Sequence, residues 1–151
     1  IPLLIAEQVQ AEEKEKLRKD IDLHGLHVLL AEDNDLNAEI AVSLLEEQGM
    51  IVTRAADGKS ALLQFCNTAP GTFDLILMDI MMPEMNGYET TKAIRNLPDR
   101  PDGKEIPIIA MTANAFAEDV QAALKAGMDD HVAKPIDMSI LISVITKYIE
   151  Q

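Results

Sequence analysis

The chain has 151 residues, 48% of them hydrophobic, which suits one domain with a sizeable core and leaves little room for a second. Its 26 acidic and 13 basic side chains give a net charge of -13, which argues against nucleic acid or an anionic membrane surface as partner. The single cysteine, Cys66, allows no internal disulfide, and no apolar run approaches the roughly 20 residues of a membrane-spanning helix, so a reducing, cytoplasmic setting is expected.

Residues 1–24 read as a charged helical linker and residues 25–151 as the folded domain. "EQVQAEEKEKLRKD" pairs Glu12 with Lys16 and Glu15 with Lys19 at helical spacing, while Leu3, Leu4, Val9 and Leu17 are too sparse to set a coiled-coil seam. "IPLLI" lacks the flank and cleavage site of a signal peptide. With no initiator methionine, the chain is expected to be a segment of a longer protein.

From Leu26 onward, short β-rich runs alternate with helical patterns. The strands are expected at "LHVLLA" (26–31), "IVTRA" (51–55), "DLILM" (74–78), "IPIIAM" (106–111) and "HVA" (131–133). Several are apolar on successive residues, the pattern of strands covered on both faces. Leu36, Ile40, Leu44 and Leu45 suggest the buried stripe of a first helix ended by Gly49, with Asp35 available as its cap. Ala61, Leu62 and Phe65 mark a second, with Cys66 expected to be buried beside them. Val120, Ala123 and Leu124 precede Gly127, and Ile140, Leu141, Val144, Ile145 and Tyr148 line the last helix. "NLPDRPDGKE" (96–105) reads as a solvated loop, and the methionines, Met78, Met81, Met82 and Met85 among them, as core and loop packing. Five β/α units imply a doubly wound α/β fold: a five-stranded parallel sheet in the order 2-1-3-4-5 with helices on both faces.

In such a sheet, ligands bind beyond the carboxyl ends of the strands at the switch in strand order. Asp79 follows strand three there, and Glu32 and Asp33 follow strand one. Three carboxylates on one rim would raise at least one pKa unless a cation intervened, and Mg2+ suits acids held on loops. Strand four leads to the Thr112 hydroxyl and strand five to the Lys134 ammonium. Phosphoryl transfer needs a nucleophile, a metal, and donors for the equatorial oxygens, which assigns Asp79, then Glu32 with Asp33, then Thr112 with Lys134. Each has a plainer reading when taken alone: a strand-closing acid, helix caps, a surface lysine. Their order on successive strand ends favours the functional one. His24 and His27 have no sensible ligand partner and read as linker and strand residues.

The segments "LLAEDNDLN", "LILMDIMMPEMNG", "IIAMTANA" and "AGMDDHVAKPI", spanning residues 26–150, resemble the response-regulator receiver family of two-component signalling, most of all receivers attached to hybrid sensor histidine kinases. The resemblance implies a flavodoxin-like receiver fold and a phospho-acceptor Asp79. The phosphoryl group would come from a histidine kinase dimerisation domain or a histidine phosphotransfer protein. It further implies Mg2+, with Mn2+ as a substitute, bound by Glu32, Asp33, Asp79 and the backbone carbonyl of Met81. On this basis the isolated domain is no enzyme beyond its own phosphorylation and dephosphorylation. Thr112 and the residue three before Lys134 form the switch; that residue is usually Tyr or Phe and here is His131, which can charge near neutral pH. Pro135 falls where the family bond is usually cis. The responding face, and the site of a weak dimer, would be residues 117–149. A degenerate receiver that only binds proteins is the rival, but it would have lost an acid, the acceptor or the lysine. A haloacid-dehalogenase-type phosphatase would want an acid at Met81, and a P-loop hydrolase needs a glycine-rich motif the chain lacks.

Overall fold

The computed structural model describes residues 23–113, 117–134 and 136–149; the helical reading of residues 1–22 and the Pro135 bond lie outside them. Five strands, β1 (His27–Ala31), β2 (Ile51–Ala55), β3 (Leu75–Asp79), β4 (Ile108–Thr112) and β5 (Asp130–Ala133), form one parallel sheet in the order β2-β1-β3-β4-β5. That is the expected switch topology. Its helices are α1 (Asp35–Glu47), α2 (Gly58–Cys66), α3 (Gly87–Arg95), a short α4 (Pro101–Glu105), α5 (Ala117–Ala126) and α6 (Met138–Ile149).

Alternation along the strands divides the core in two. Leu29, Ile76 and Met78, Ile108 and Ala110 face one layer with Ala61 and Phe65 of α2, Ile94 of α3 and Ala123 of α5. Val28 and Leu30, Leu75 and Leu77, Ile109 and Met111 face the other, with Ala41 and Leu45 of α1 and Leu141 and Ile145 of α6. Burying both faces explains the runs without polar interruption. Leu23, just outside β1, already packs in the second layer.

Several helix faces differ from the sequence expectation. In α1 the buried residues are Ala38, Ala41 and Leu45, while Leu36 is 65% exposed and Ile40 also lies outside. Leu36 and Leu45 are nine residues apart, about half a turn out of phase at 3.6 residues per turn, so one face cannot hold both. The small alanines take the sheet side. The same phase argument puts Cys66, one residue past buried Phe65, on the surface instead of in the core. Leu124 and Ile140 are exposed as well, each beside a buried neighbour, Ala123 and Leu141. Residues 101–105 form α4 where a loop was expected; Pro101 starts it, its fixed φ being suited to a first helical turn. Arg100 anchors this segment, donating to Phe65 O and Thr68 O and stacking over the Phe65 ring, while its ion pair holds Asp102 down at a pKa of about 2.

Candidate functional site

Parallel strands in register end together, so the rim beyond β1, β3, β4 and β5 collects the side chains that follow them. β3 and β4 each run one residue further than the apolar runs suggest, making Asp79 and Thr112 the last residues of their strands, Asp79 paired with Met111 and Thr112 with Ala133. This fixes the backbone of both by ladder hydrogen bonds. Gly87, at the start of α3, lies so close beneath the site that a Cβ there would overlap the Asp79 carbonyl.

Asp79 is only 5% exposed. Its Oδ1 accepts from the Met81 N–H at 3.3 Å, and its Oδ2 lies 3.0 Å from Lys134 Nζ. Glu32, 2% exposed, brings Oε2 to 2.6 Å from the same ammonium, while its Oε1 accepts from the Asn34 N–H at 3.1 Å. Lys134 is therefore shared between two buried carboxylates, and its own N–H is tied to Thr112 O at 2.9 Å. Burial pushes the Asp79 carboxyl up to about 6; Lys134 pulls against that rise and the Glu32 charge adds to it. Burial alone would depress Lys134, but its hydrogen bonds to Glu32 and Asp79 outweigh that and raise it.

Glu32, Asp33 and Asp79 each offer one carboxylate oxygen within 4.8 Å of the others. An all-oxygen, anionic donor set opening on solvent fits a hard divalent cation that retains waters. The cleft over them, about 540 Å³, is also lined by Met81, Thr112 and Lys134.

Of the predicted residues, Glu32, Asp33, Asp79, Met81, Thr112 and Lys134 thus share one cleft. His131 does not line it: the side chain sits on β5, half-exposed, with Nδ1 3.7 Å from Asp130. Met81 is 77% exposed over the cleft and is no packing residue, unlike buried Met78 and Met82. The cap of α1 is Asn34, whose Oδ1 accepts from the Asn37 N–H; Asp35 instead pairs with Arg54 at 2.8 Å. Sequence reasoning passed over both Asn34 and Arg54. A lone charge inside the otherwise uncharged run "IVTRA" was the available signal for the second.

The sheet order, the acid cluster at its switch point and the lysine that bridges it define a doubly wound α/β domain with its acidic cleft on the carboxyl-end rim, the edge where folds of this class take ligands. The model of the response regulator receiver domain matches residues 28–146. The chain belongs to the response regulator receiver domain family. It is 43% identical over 130 residues to hybrid signal transduction histidine kinase I of Dictyostelium discoideum, covering 82% of this chain and 7% of that protein. Among solved structures it resembles the receiver domain of the Pseudomonas aeruginosa sensor histidine kinase PA1611, which has a magnesium ion coordinated in its active site cleft. That match has a TM-score of 0.74 and 36% identity over 84% of this chain and 99% of that one. It also resembles the receiver domain of Ssk1 from Saccharomyces cerevisiae, solved with the histidine phosphotransfer protein Ypd1, with a TM-score of 0.71 and 28% identity over 83% and 91% of the two chains. No helix among the described residues is long and apolar enough to cross a membrane.

Proposed function

We propose that this receiver accepts a phosphoryl group on Asp79 from a phosphohistidine and is a segment of a hybrid sensor histidine kinase. The observation that carries the reading is the buried Asp79 carboxylate, paired with Lys134 at 3.0 Å and standing beside two further acids at the end of β3. An Asp79 oxygen attacks phosphorus as the phosphorus–nitrogen bond to imidazole breaks, and the electron pair leaves with the imidazole nitrogen. Lys134 supplies a fixed cation for the phosphoryl oxygens, and the Thr112 hydroxyl donates to one of them. Glu32, Asp33, Asp79 and the Met81 carbonyl would hold Mg2+, or Mn2+ in its place, which when bound would supply neutralising charge for the transferring group. Thr112 and His131 would relay the change to residues 117–149, the proposed responding and weak dimer surface, where Leu124 lies exposed on α5.

The donor is proposed to be a histidine phosphotransfer protein or a kinase dimerisation domain. Leu36 and Ile40 support this: two exposed apolar residues on α1, the helix whose Asn37 lines the cleft, offer a helix-docking face. The charge of -13 favours neither nucleic acid nor anionic membrane, and a cytoplasmic location is proposed.

The test is incubation with acetyl phosphate or phosphoramidate and Mg2+, followed by intact-mass measurement. Wild type gains one phosphoryl group; Asp79→Asn and a chelated control gain none. Labelling that persists in the variant, or none in any protein with beryllofluoride also failing to bind, refutes the assignment.

A further inference from the structure

Arg54 reaches from the edge strand β2 across the end of β1. The β1–β2 ladder finishes where the Glu32 N–H donates to Ala55 O at 3.1 Å. Past that point β2 has ended at Ala55, so on that side no strand carries the ladder on to the acidic loop. Arg54 takes the strand's place: Nε and Nη2 both donate to Glu32 O, at 3.1 and 2.9 Å, and Nη2 makes a longer contact of 3.4 Å to Asp33 O. Nη1 donates to Asp35 Oδ1 at 2.8 Å. A planar guanidinium with a fixed fork of donors can serve three residues of one loop at once, which suits this span better than the point charge of an ammonium.

This matters because Asp33 is exposed, so burial does not fix its position. Asp35, with a 93% exposed side chain, makes an ordinary surface ion pair that contributes little. The strong, partly shielded contacts are those to the Glu32 carbonyl.

We propose that Arg54 is a positioning residue for the divalent-cation site, clamping the Glu32–Asp35 segment through its backbone so that the Asp33 carboxylate stays beside Glu32 and Asp79. Arg54 touches neither cation nor phosphate. The proposal rests on the reading of Glu32 and Asp33 as metal holders given above. Two effects of the side chain oppose each other. As a nearby positive charge it repels a divalent cation, so removing it would tighten binding; as a clamp it preorganises the ligands, so removing it would weaken binding. The sign of the change separates them.

The experiment is calorimetric titration of the full chain with MgCl2 for wild type, Arg54→Ala, Arg54→Lys and Asp35→Asn, with melting midpoints as a fold check. Loss of a group that orients metal ligands typically weakens metal binding by about 10- to 100-fold. Arg54→Ala is expected in that range, with Arg54→Lys, which keeps the charge and loses the fork, also weakened; the lysine variant carries the test should alanine fail to fold. Asp35→Asn stays within about threefold of wild type. At saturating Mg2+ the rate of phosphorylation of Arg54→Ala by phosphoramidate returns to the wild-type value, because Asp79, Thr112 and Lys134 are untouched. In chelator, the Asn34 amide, held by Glu32 Oε1, exchanges faster in Arg54→Ala than in wild type. Unchanged or tighter Mg2+ binding in Arg54→Ala, unchanged Asn34 exchange, or an Asp35→Asn defect as large as that of alanine overturns the clamp. Failure of all four proteins, wild type included, to bind Mg2+ overturns instead the metal-holding reading on which it stands.

Discussion

Replacing Asp79 by Asn should stabilise the fold while abolishing its reaction. The Asp79 carboxyl is raised from 3.8 to about 6 by burial, despite the attraction of Lys134. The native state therefore holds this proton more tightly than the unfolded chain, so stability falls as pH rises from about 4 to about 6 and stays reduced above that window. At about 1.4 kcal/mol per pKa unit, the ionised carboxylate costs roughly 3 kcal/mol above pH 6. Asparagine resembles the protonated form: its side-chain oxygen can still accept from the Met81 N–H, and no charge is buried. The expected gain is about 1–3 kcal/mol at pH 7.5 in chelator, read by urea unfolding with circular dichroism, since the chain has no tryptophan to follow. The gap between the two proteins should close near pH 4. It should also narrow in Mg2+, which binds the native wild type and stabilises it by mass action. An Asp79→Asn protein less stable than wild type at pH 7.5, or a gap that does not shrink on acidification, would refute the reasoning.

Lys134→Met removes the shared cation from Glu32 and Asp79, and in chelator this should destabilise by about 3–5 kcal/mol, as breaking buried pairs does. Mg2+ should restore part of that loss, and calorimetry should show tighter Mg2+ binding than in wild type; weaker binding would mean the ammonium does not compete for the site. Because Asp79 must be ionised to ligate, Mg2+ affinity should fall about tenfold per pH unit below pH 6 and level off above it, a profile that a titration between pH 5 and 8 would establish or exclude. Cys66 should react with a thiol reagent in the native protein as fast as in urea, and slow, protected labelling would put it back in the core. Leu36→Glu with Ile40→Glu should change stability by less than about 0.5 kcal/mol per site, leave labelling by acetyl phosphate intact and slow transfer from a phosphohistidine protein at least tenfold. Equal rates from the protein donor would remove α1 from the docking face.

The strand order was legible because parallel strands buried on both faces write themselves as apolar runs, and β3, wholly buried, is the plainest case. The rim was legible for a related reason. In a parallel sheet every residue just after a run must sit on the same edge, so Glu32, Asp33, Asp79, Thr112 and Lys134 could be grouped without knowing any distance. Helix phase was less legible. Along α1 the large residues Leu36 and Ile40 outweighed Ala38 and Ala41 in the pattern, yet it is the alanines that allow close approach to the sheet. Hydrophobicity ranks side chains by size, whereas packing against a twisted sheet also selects for small ones. Arg54 was hidden for a different reason. Its work is done on backbone carbonyls, which have no letter in the sequence.

Lys134 links the stability of this domain to its chemistry. With two carboxylates buried on a rim, the fold needs a cation there at all times, and the lysine supplies one at 2.6 and 3.0 Å from Glu32 and Asp79. For a divalent ion to use those same oxygens these contacts would have to loosen, one cation taking over from another. Loosened from the carboxylates, the ammonium would be free for the phosphoryl oxygens of the proposed reaction. A site satisfied too well by its own lysine would resist the metal, and one satisfied too poorly would not fold; an Asp79 pKa of about 6, above that of a free carboxyl because Lys134 offsets burial only in part, is where that balance falls.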